Sequence, residues 1–204
     1  MKRVLLTGFG PFLDFKINPS QLLVEDLSTS FKIPNLEVIS QVLPVAYDQW
    51  ERILFPFIQS FQPHLILSFG VQKKKEALFL EFAGRNLAHS ERPDIYGKVK
   101  SNAVLEPHGP QFLSTPLPLS RIKKHLSLKG YPVEISYSAG SYLCNCQYYK
   151  TLYFLKSSNL PVPMGFIHIP PFLPHSQEQG EWNFEKVKEG AAALVRFLLF
   201  GSSS

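Results

Sequence analysis

Three short, almost wholly apolar runs constrain this chain more than any other feature. They are Arg3–Gly8 (RVLLTG), His64–Gly70 (HLILSFG) and Gly165–Ile169 (GFIHI). Runs that are apolar at both odd and even positions suit strands covered on both faces, the signature of a parallel sheet. The stretches between them carry helical signals. Asn18 can cap a helix with Pro19 at its first position, running to about Leu27. Trp50, Ile53, Leu54, Phe57, Ile58 and Phe61 form a stripe over Tyr47–Phe61, where Pro56 is expected to kink or split the helix. Leu36–Val45, Ala77–Asn86 and Tyr131–Tyr137 read as further strands. Ser120 is expected to cap a basic helix ending at Gly130, and Gln147–Lys156 reads as a buried helix. A last helix begins at Asn183 or Phe184, with Val187, Ala191, Leu194, Val195 and Leu198 on its apolar face. Ile95–Pro118, rich in turn residues, reads as a long surface excursion. Strands alternating with helices predict an α/β fold: a single three-layer α/β/α domain over residues 1–200 with a mostly parallel, twisted sheet. Residues 201–204 read as a flexible tail.

Composition narrows the partners. The net charge is +5, and the densest basic run, Lys73-Lys74-Lys75, is followed at once by Glu76. No basic stripe interleaved with aromatics points to nucleic acid. No apolar stretch reaches the roughly 20 residues of a membrane span, and the run after Met1-Lys2-Arg3 is too short for a signal peptide. A cytoplasmic protein is expected. Its two cysteines, Cys144 and Cys146, cannot form a disulfide framework, and no second pair exists to complete a zinc site.

Chemistry concentrates in Ser138-Ala139-Gly140-Ser141-Tyr142-Leu143-Cys144-Asn145-Cys146. A small-residue elbow between a strand and a helix delivers Cys144 to the helix start. There the backbone N–H groups and the macrodipole favour a thiolate. Cys146 lies about 200° away on an α-helix and cannot share that site. A buried structural cysteine is the competing reading. A cysteine nucleophile needs an imidazole. His64 and His125 sit in structural or solvated contexts, and His89 and His108 in loops. His168 ends a short apolar strand before Pro170-Pro171. In an open α/β sheet that is where ligands bind, and the elbow can meet it there if the two strands are neighbours. A histidine that merely fills a strand end reads equally well. Glu81, a carboxylate inside Leu78–Ala83, is the candidate third member, because burying it without a partner is costly. An exposed edge-strand glutamate is its competing reading.

Gly8-Phe9-Gly10 is a weak nucleotide signal: Leu13 stands where a third glycine belongs, and no acidic residue ends the second strand. Phe9, Phe12 and Phe15 instead place three rings on a loop at a strand's carboxyl end, suited to a small, flat, neutral ligand, with ordinary core packing of one or two of them as the competing reading.

These pieces together resemble the pyrrolidone-carboxylate peptidases (pyroglutamyl peptidase I), cysteine peptidases that remove an N-terminal pyroglutamyl residue. The resemblance rests on Thr7–Phe12 with Asn18-Pro19-Ser20, Leu43-Pro44-Val45, Glu81 with Asn86, Pro93-Asp94, Ser138–Asn145 and Phe166–Pro170. It implies a triad of Cys144, His168 and Glu81, and a pyrrolidone ring held between Phe9 and Phe12. It also implies an α/β/α fold, no cofactor or metal, small peptide substrates, and assembly into dimers or tetramers. The chain departs from the common family pattern at Phe82 and Glu91, where the family has arginine; Arg85 and Arg92 are the nearest candidates to replace that charge. Lys73-Lys74-Lys75 replaces a glycine-rich stretch. Two other readings stay open: a peptidase-like module that binds a lactam without turnover, and a nucleotide- or nucleoside-binding protein using the Gly8–Gly10 loop.

Overall fold

The computed structural model describes residues 1–12, 16–72, 76–172 and 183–201. In chain order its elements are β1 (Lys2–Phe9), α1 (Pro19–Ser30), β2 (Leu36–Leu43), α2 (Trp50–Phe61) and β3 (Leu65–Val71). Then come β4 (Leu78–Glu81), β5 (Ala83–Arg85), β6 (Ala88–Ser90), β7 (Lys100–Ala103) and β8 (Phe112–Ser114). The chain closes with α3 (Leu119–Leu128), β9 (Val133–Ser136), α4 (Leu143–Ser157), β10 (Met164–Ile169) and α5 (Phe184–Phe200). Phe15, Lys73-Lys74-Lys75, His175 and residues 202–204 lie outside the described residues.

Six strands form one sheet in the order β2-β1-β3-β10-β4-β9. β2, β1, β3 and β10 run parallel, β4 is antiparallel to β10, and β9 is parallel to β4. The expected mainly parallel α/β architecture is therefore present. Every residue of β10, and Leu65–Gly70 of β3, is buried, which is why those runs are apolar at consecutive positions. One face of the sheet packs α1, α3 and α5 through Leu23, Leu27, Ile122, Leu126, Val187 and Leu194. The other packs α2 and α4 through Trp50, Leu54, Ile58, Leu143 and Tyr148.

Two helices start where the sequence places them. Asn18 Oδ1 accepts from the Ser20 N–H at 3.0 Å, and Ser20 Oγ accepts from the Phe9 N–H at 3.0 Å, joining the end of β1 to the start of α1. Asn183 Oδ1 caps α5 by accepting from the Lys186 N–H at 2.9 Å. Val187, Ala191, Leu194 and Val195 are buried along that helix, and Leu198 is half-buried.

Four expectations are corrected. Of the kink or split expected at Pro56 the split does not occur: α2 runs unbroken from Trp50 to Phe61, and Pro56 and Arg52 are both exposed, where water can serve the carbonyl that loses its partner. α3 begins at Leu119, so Ser120 is inside it, and Pro118 occupies the cap position without a side-chain bond. Burial of Leu119, Ile122 and Leu126 fixes that start. The run Ala77–Asn86 is not one strand. Phe82 donates its N–H to Ser136 O and accepts from the Thr115 N–H, so the chain leaves the main sheet there and continues as β5 against β8. The excursion 95–118 holds β7 and β8, which pair back onto β6 and β5. The Asn86 amide orders its middle, accepting from the Leu105 and Glu106 N–H groups and donating to the Glu106 and Gly109 carbonyls. Among the described residues, no helix is long and apolar enough to cross a membrane.

Candidate active site

The elbow after β9 turns on Gly140, whose φ of 82° lies in the left-handed region. Ser141 Oγ donates to His89 O at 2.7 Å, the His89 N–H donates to Ser141 O at 2.9 Å, and Tyr142 Oη donates to Pro93 O at 2.8 Å. The elbow is thereby registered against the segment 89–93. Helix α4 then starts at Leu143, which makes Cys144 its second residue, and Tyr142 offers no side-chain cap. The first N–H groups of α4 have no intrahelical acceptor and point toward the half-buried Cys144 end of the helix. Cys146 is buried on the other side of α4, and burial pushes its thiol up to about 12. The two cysteines are thus separated as their spacing predicted.

His168 meets Cys144 by a different route from the one expected. β9 and β10 are not neighbours; β4 lies between them, and β9 runs opposite to β10. The elbow nevertheless brings Cys144 to this end of β10: its sulfur lies against Gly70, the residue in register with His168, and acts on the imidazole. The intervening strand supplies Glu81, whose Oε1 lies 2.7 Å from His168 Nδ1. Glu81 is wholly buried and His168 nearly so, which removes the exposed edge-strand reading of the glutamate. Burial alone would depress the imidazole. The neighbouring Cys144 and Glu81 side chains outweigh it and hold His168 at about 9. Glu81 occupies Nδ1, so Nε2 is the nitrogen able to exchange a proton with sulfur.

Phe9 and Phe12 part company. Phe9 is 5% exposed, in the core with Leu43, Val45, Trp50 and Leu143. Phe12 is half-buried, with its ring centroid 5.7 Å from that of Tyr142. Tyr47 packs edge-on against Tyr142 at 5.9 Å, so Phe12, Tyr142 and Tyr47 form an aromatic wall next to the start of α4 and Cys144.

Several residues of this site escaped the sequence reading. Asn145 is buried; its Oδ1 accepts from the Arg85 N–H at 2.8 Å, and its Nδ2 donates to Arg85 O and Leu87 O. Asp94 accepts from the Tyr47, Tyr96 and Lys98 N–H groups and fixes the turn that backs Tyr142. Both stand in the segments that carried the family resemblance, the one available signal. Gly70, at the end of β3, leaves its missing side chain's place to the Cys144 sulfur. Of the two arginines named as replacements, Arg85 lies over the Phe112 ring at 5.8 Å, whereas the charge of Arg92 acts on Tyr142. Phe82 is exposed and packs on Tyr137 at 5.6 Å. Among the described residues, no group of three His, Cys, Asp or Glu is placed to hold a metal ion.

A family model described as pyroglutamyl peptidase matches residues 2–183. The pyrrolidone-carboxylate peptidase of Pyrococcus furiosus is 33% identical over 168 residues, covering 82% of this chain and 80% of its own. That of Oceanobacillus iheyensis is 36% identical over 180 residues, covering 83% and 84%. The crystal structure of pyrrolidone carboxyl peptidase from Fervidobacterium islandicum superposes with a TM-score of 0.89 at 28% identity, covering 98% of this chain and 99% of that one.

Proposed function

The chain belongs to the pyroglutamyl peptidase family, and from that premise we propose that it hydrolyses the bond after an N-terminal pyroglutamyl residue through Cys144, His168 and Glu81. The observation that carries this reading is the buried Glu81–His168 pair, with the Cys144 sulfur at the start of α4 lodged against Gly70, the residue in register with His168.

Cys144 sulfur attacks the pyroglutamyl carbonyl carbon, and its proton goes to His168 Nε2. The oxyanion forms next to the first N–H groups of α4, where each suitably aimed donor is worth about 3 kcal/mol. Collapse breaks the C–N bond, and His168 returns the proton to the departing amine. Water, deprotonated by His168, then attacks the thioester and releases free pyroglutamate and the thiol. Glu81 holds the imidazole with Nε2 toward sulfur and balances the imidazolium. Phe9 and Phe12 are the residues assigned to the pyrrolidone ring, with Phe12 and Tyr142 as its accessible side. Nothing in this cycle calls for a cofactor or metal. The catalytic unit is residues 1–200, acting on small peptides in the cytoplasm without a nucleic-acid or membrane partner, and assembling as a dimer or tetramer as in its family; sedimentation velocity reads that state directly.

The test is release of a fluorophore from a pyroglutamyl amide, with and without iodoacetamide. Turnover is expected in the untreated protein, and its loss on alkylation and in a folded Cys144→Ala variant. Undiminished turnover in Cys144→Ala would overturn the mechanism. Stabilisation by pyroglutamate without any turnover would identify a binding module instead.

A further inference from the structure

Gly70 stands in β3 in register with His168 of β10, one strand away from the proton acceptor and directly behind the nucleophile. A Cβ built on Gly70 would lie 2.9 Å from Cys144 Sγ and 2.9 Å from Phe166 Cζ. Both approaches are closer than carbon tolerates. The backbone at Gly70 is that of an ordinary strand, not the left-handed conformation that glycine alone adopts readily. Conformational freedom is therefore not what the position requires; it requires an empty volume, and sulfur occupies it.

The helix that carries the sulfur has little freedom to retreat. One turn below Cys144, Gln147 Nε2 donates to Ser68 Oγ at 3.1 Å, and Ser68 Oγ also accepts from Thr7 Oγ1 at 2.7 Å. Beside Cys144, the Asn145 amide grips Arg85 and Leu87. Further along, a Cβ at Gly84 would lie 2.8 Å from Tyr149 Cα, so α4 also lies close against β5. With α4 anchored at these points, an added methyl group at position 70 would displace the softest neighbour, which is the sulfur, by rotation about the Cys144 Cα–Cβ bond.

We propose that Gly70 is a positioning residue, whose missing side chain lets the Cys144 sulfur lodge against β3 within reach of the His168 imidazole. The catalytic half of this proposal rests on the peptidase reading above; the steric half does not. In a well-packed site a displacement of about 1 Å costs on the order of a hundredfold in rate.

The test is a double-mutant cycle on thermal stability with wild type, Gly70→Ala, Cys144→Ala and the double variant, joined to kinetics on the pyroglutamyl amide. Removing sulfur removes the collision, so Gly70→Ala should lower Tm less in the Cys144→Ala background than in wild type. Equal losses in both backgrounds would overturn the proposal. Gly70→Ala should lower kcat on the order of a hundredfold while KM changes by less than about threefold, because the substrate pocket is untouched. An unchanged kcat would also overturn it. Phe166→Leu separates the second collision. Gly70→Ala/Phe166→Leu should regain Tm yet stay far below the kcat of Phe166→Leu alone; equal kcat values would assign the effect to the ring and defeat the proposal. If Gly70→Ala does not fold, the Phe166→Leu background carries the same comparison. Should wild type itself show no turnover, the peptidase reading fails, while the stability cycle still reports whether position 70 and sulfur compete for one volume.

Discussion

His168 and Glu81 are diagonal, not directly opposed, partners: Glu81 pairs in register with Phe166, yet its Oε1 reaches Nδ1 of His168, two residues along β10, at 2.7 Å. The carboxylate is wholly buried, and among the described residues its Oε2 has no hydrogen-bond partner. His168 is thus its essential companion. Removing one member of a buried pair strands the other, at about 3–5 kcal/mol. His168→Ala should cost stability on that scale, whereas Cys144→Ala should cost far less. Glu81→Gln should fall between them in stability and retain some activity, since an amide oxygen can still accept from Nδ1. Urea denaturation of the three variants gives the ranking; a Cys144→Ala loss equal to that of His168→Ala contradicts it.

The two cysteines should differ sharply toward alkylating agents. Iodoacetamide should label the native protein once, at Cys144, because Cys146 is buried and its thiol is pushed up to about 12. Peptide mapping checks the site, and in denaturant both should react.

Burial of Cys146 also sets a direction for alkaline stability. Its folded pKa lies above its unfolded value, so the native state keeps a proton that the unfolded chain releases. That contribution is complete below about pH 8.5 and is lost as pH rises toward 12, at about 1.4 kcal/mol per pH unit for one proton. Burial raises Tyr148 as well, which steepens the fall above about pH 10. Cys146→Ala should flatten the profile between about pH 8.5 and 10; an unaltered slope in denaturation measured across that range would count against it.

Asn145 acts through geometry. Its amide bridges α4 to the backbone of Arg85 and Leu87 with one accepted and two donated bonds. Asn145→Ala should cost about 2–4 kcal/mol by leaving buried groups unpaired. Asn145→Asp should be worse at pH 8 than at pH 5, since an ionised carboxylate would face two carbonyls that expect donors. A pH-independent penalty for the aspartate would disprove this account.

Phe9 and Phe12 should separate in a stability-and-kinetics pair. Phe9→Ala excavates the core and should cost about 3–5 kcal/mol. Phe12→Ala, at a half-buried position on the aromatic wall, should raise KM while leaving Tm close to wild type. The reverse pattern would reassign the wall.

The parts of this molecule that were legible beforehand are those whose physics is local. The wholly apolar runs announced β1, β3 and β10; Asn18 and Asn183 announced two helix starts; and the small residues of the elbow announced Cys144 at the head of α4. What stayed hidden depends on residues far apart in sequence. Leu119 determines where α3 begins because it is buried against the sheet, a demand that outweighs the cap Ser120 would have made. The strand ending at Glu81 breaks because Phe82 bonds to Ser136 on one side and Thr115 on the other, more than thirty residues away in each case. Gly70 reads as any glycine closing a strand until the sulfur of Cys144, 74 positions later, is placed against it.

The sheet order carries a consequence for how the chain is assembled. Of the described strands β10 is the last in chain order, yet it lies in the interior of the sheet, joining β2-β1-β3 to β4-β9. Until residues 164–169 emerge, β3 and β4 are bare hydrogen-bonding edges, open to mispairing with other nascent chains. The same late strand delivers His168. Closure of the sheet and the meeting of His168 with Glu81 are therefore one event, and a half-made chain holds Cys144 and Glu81 before it has the histidine that joins them.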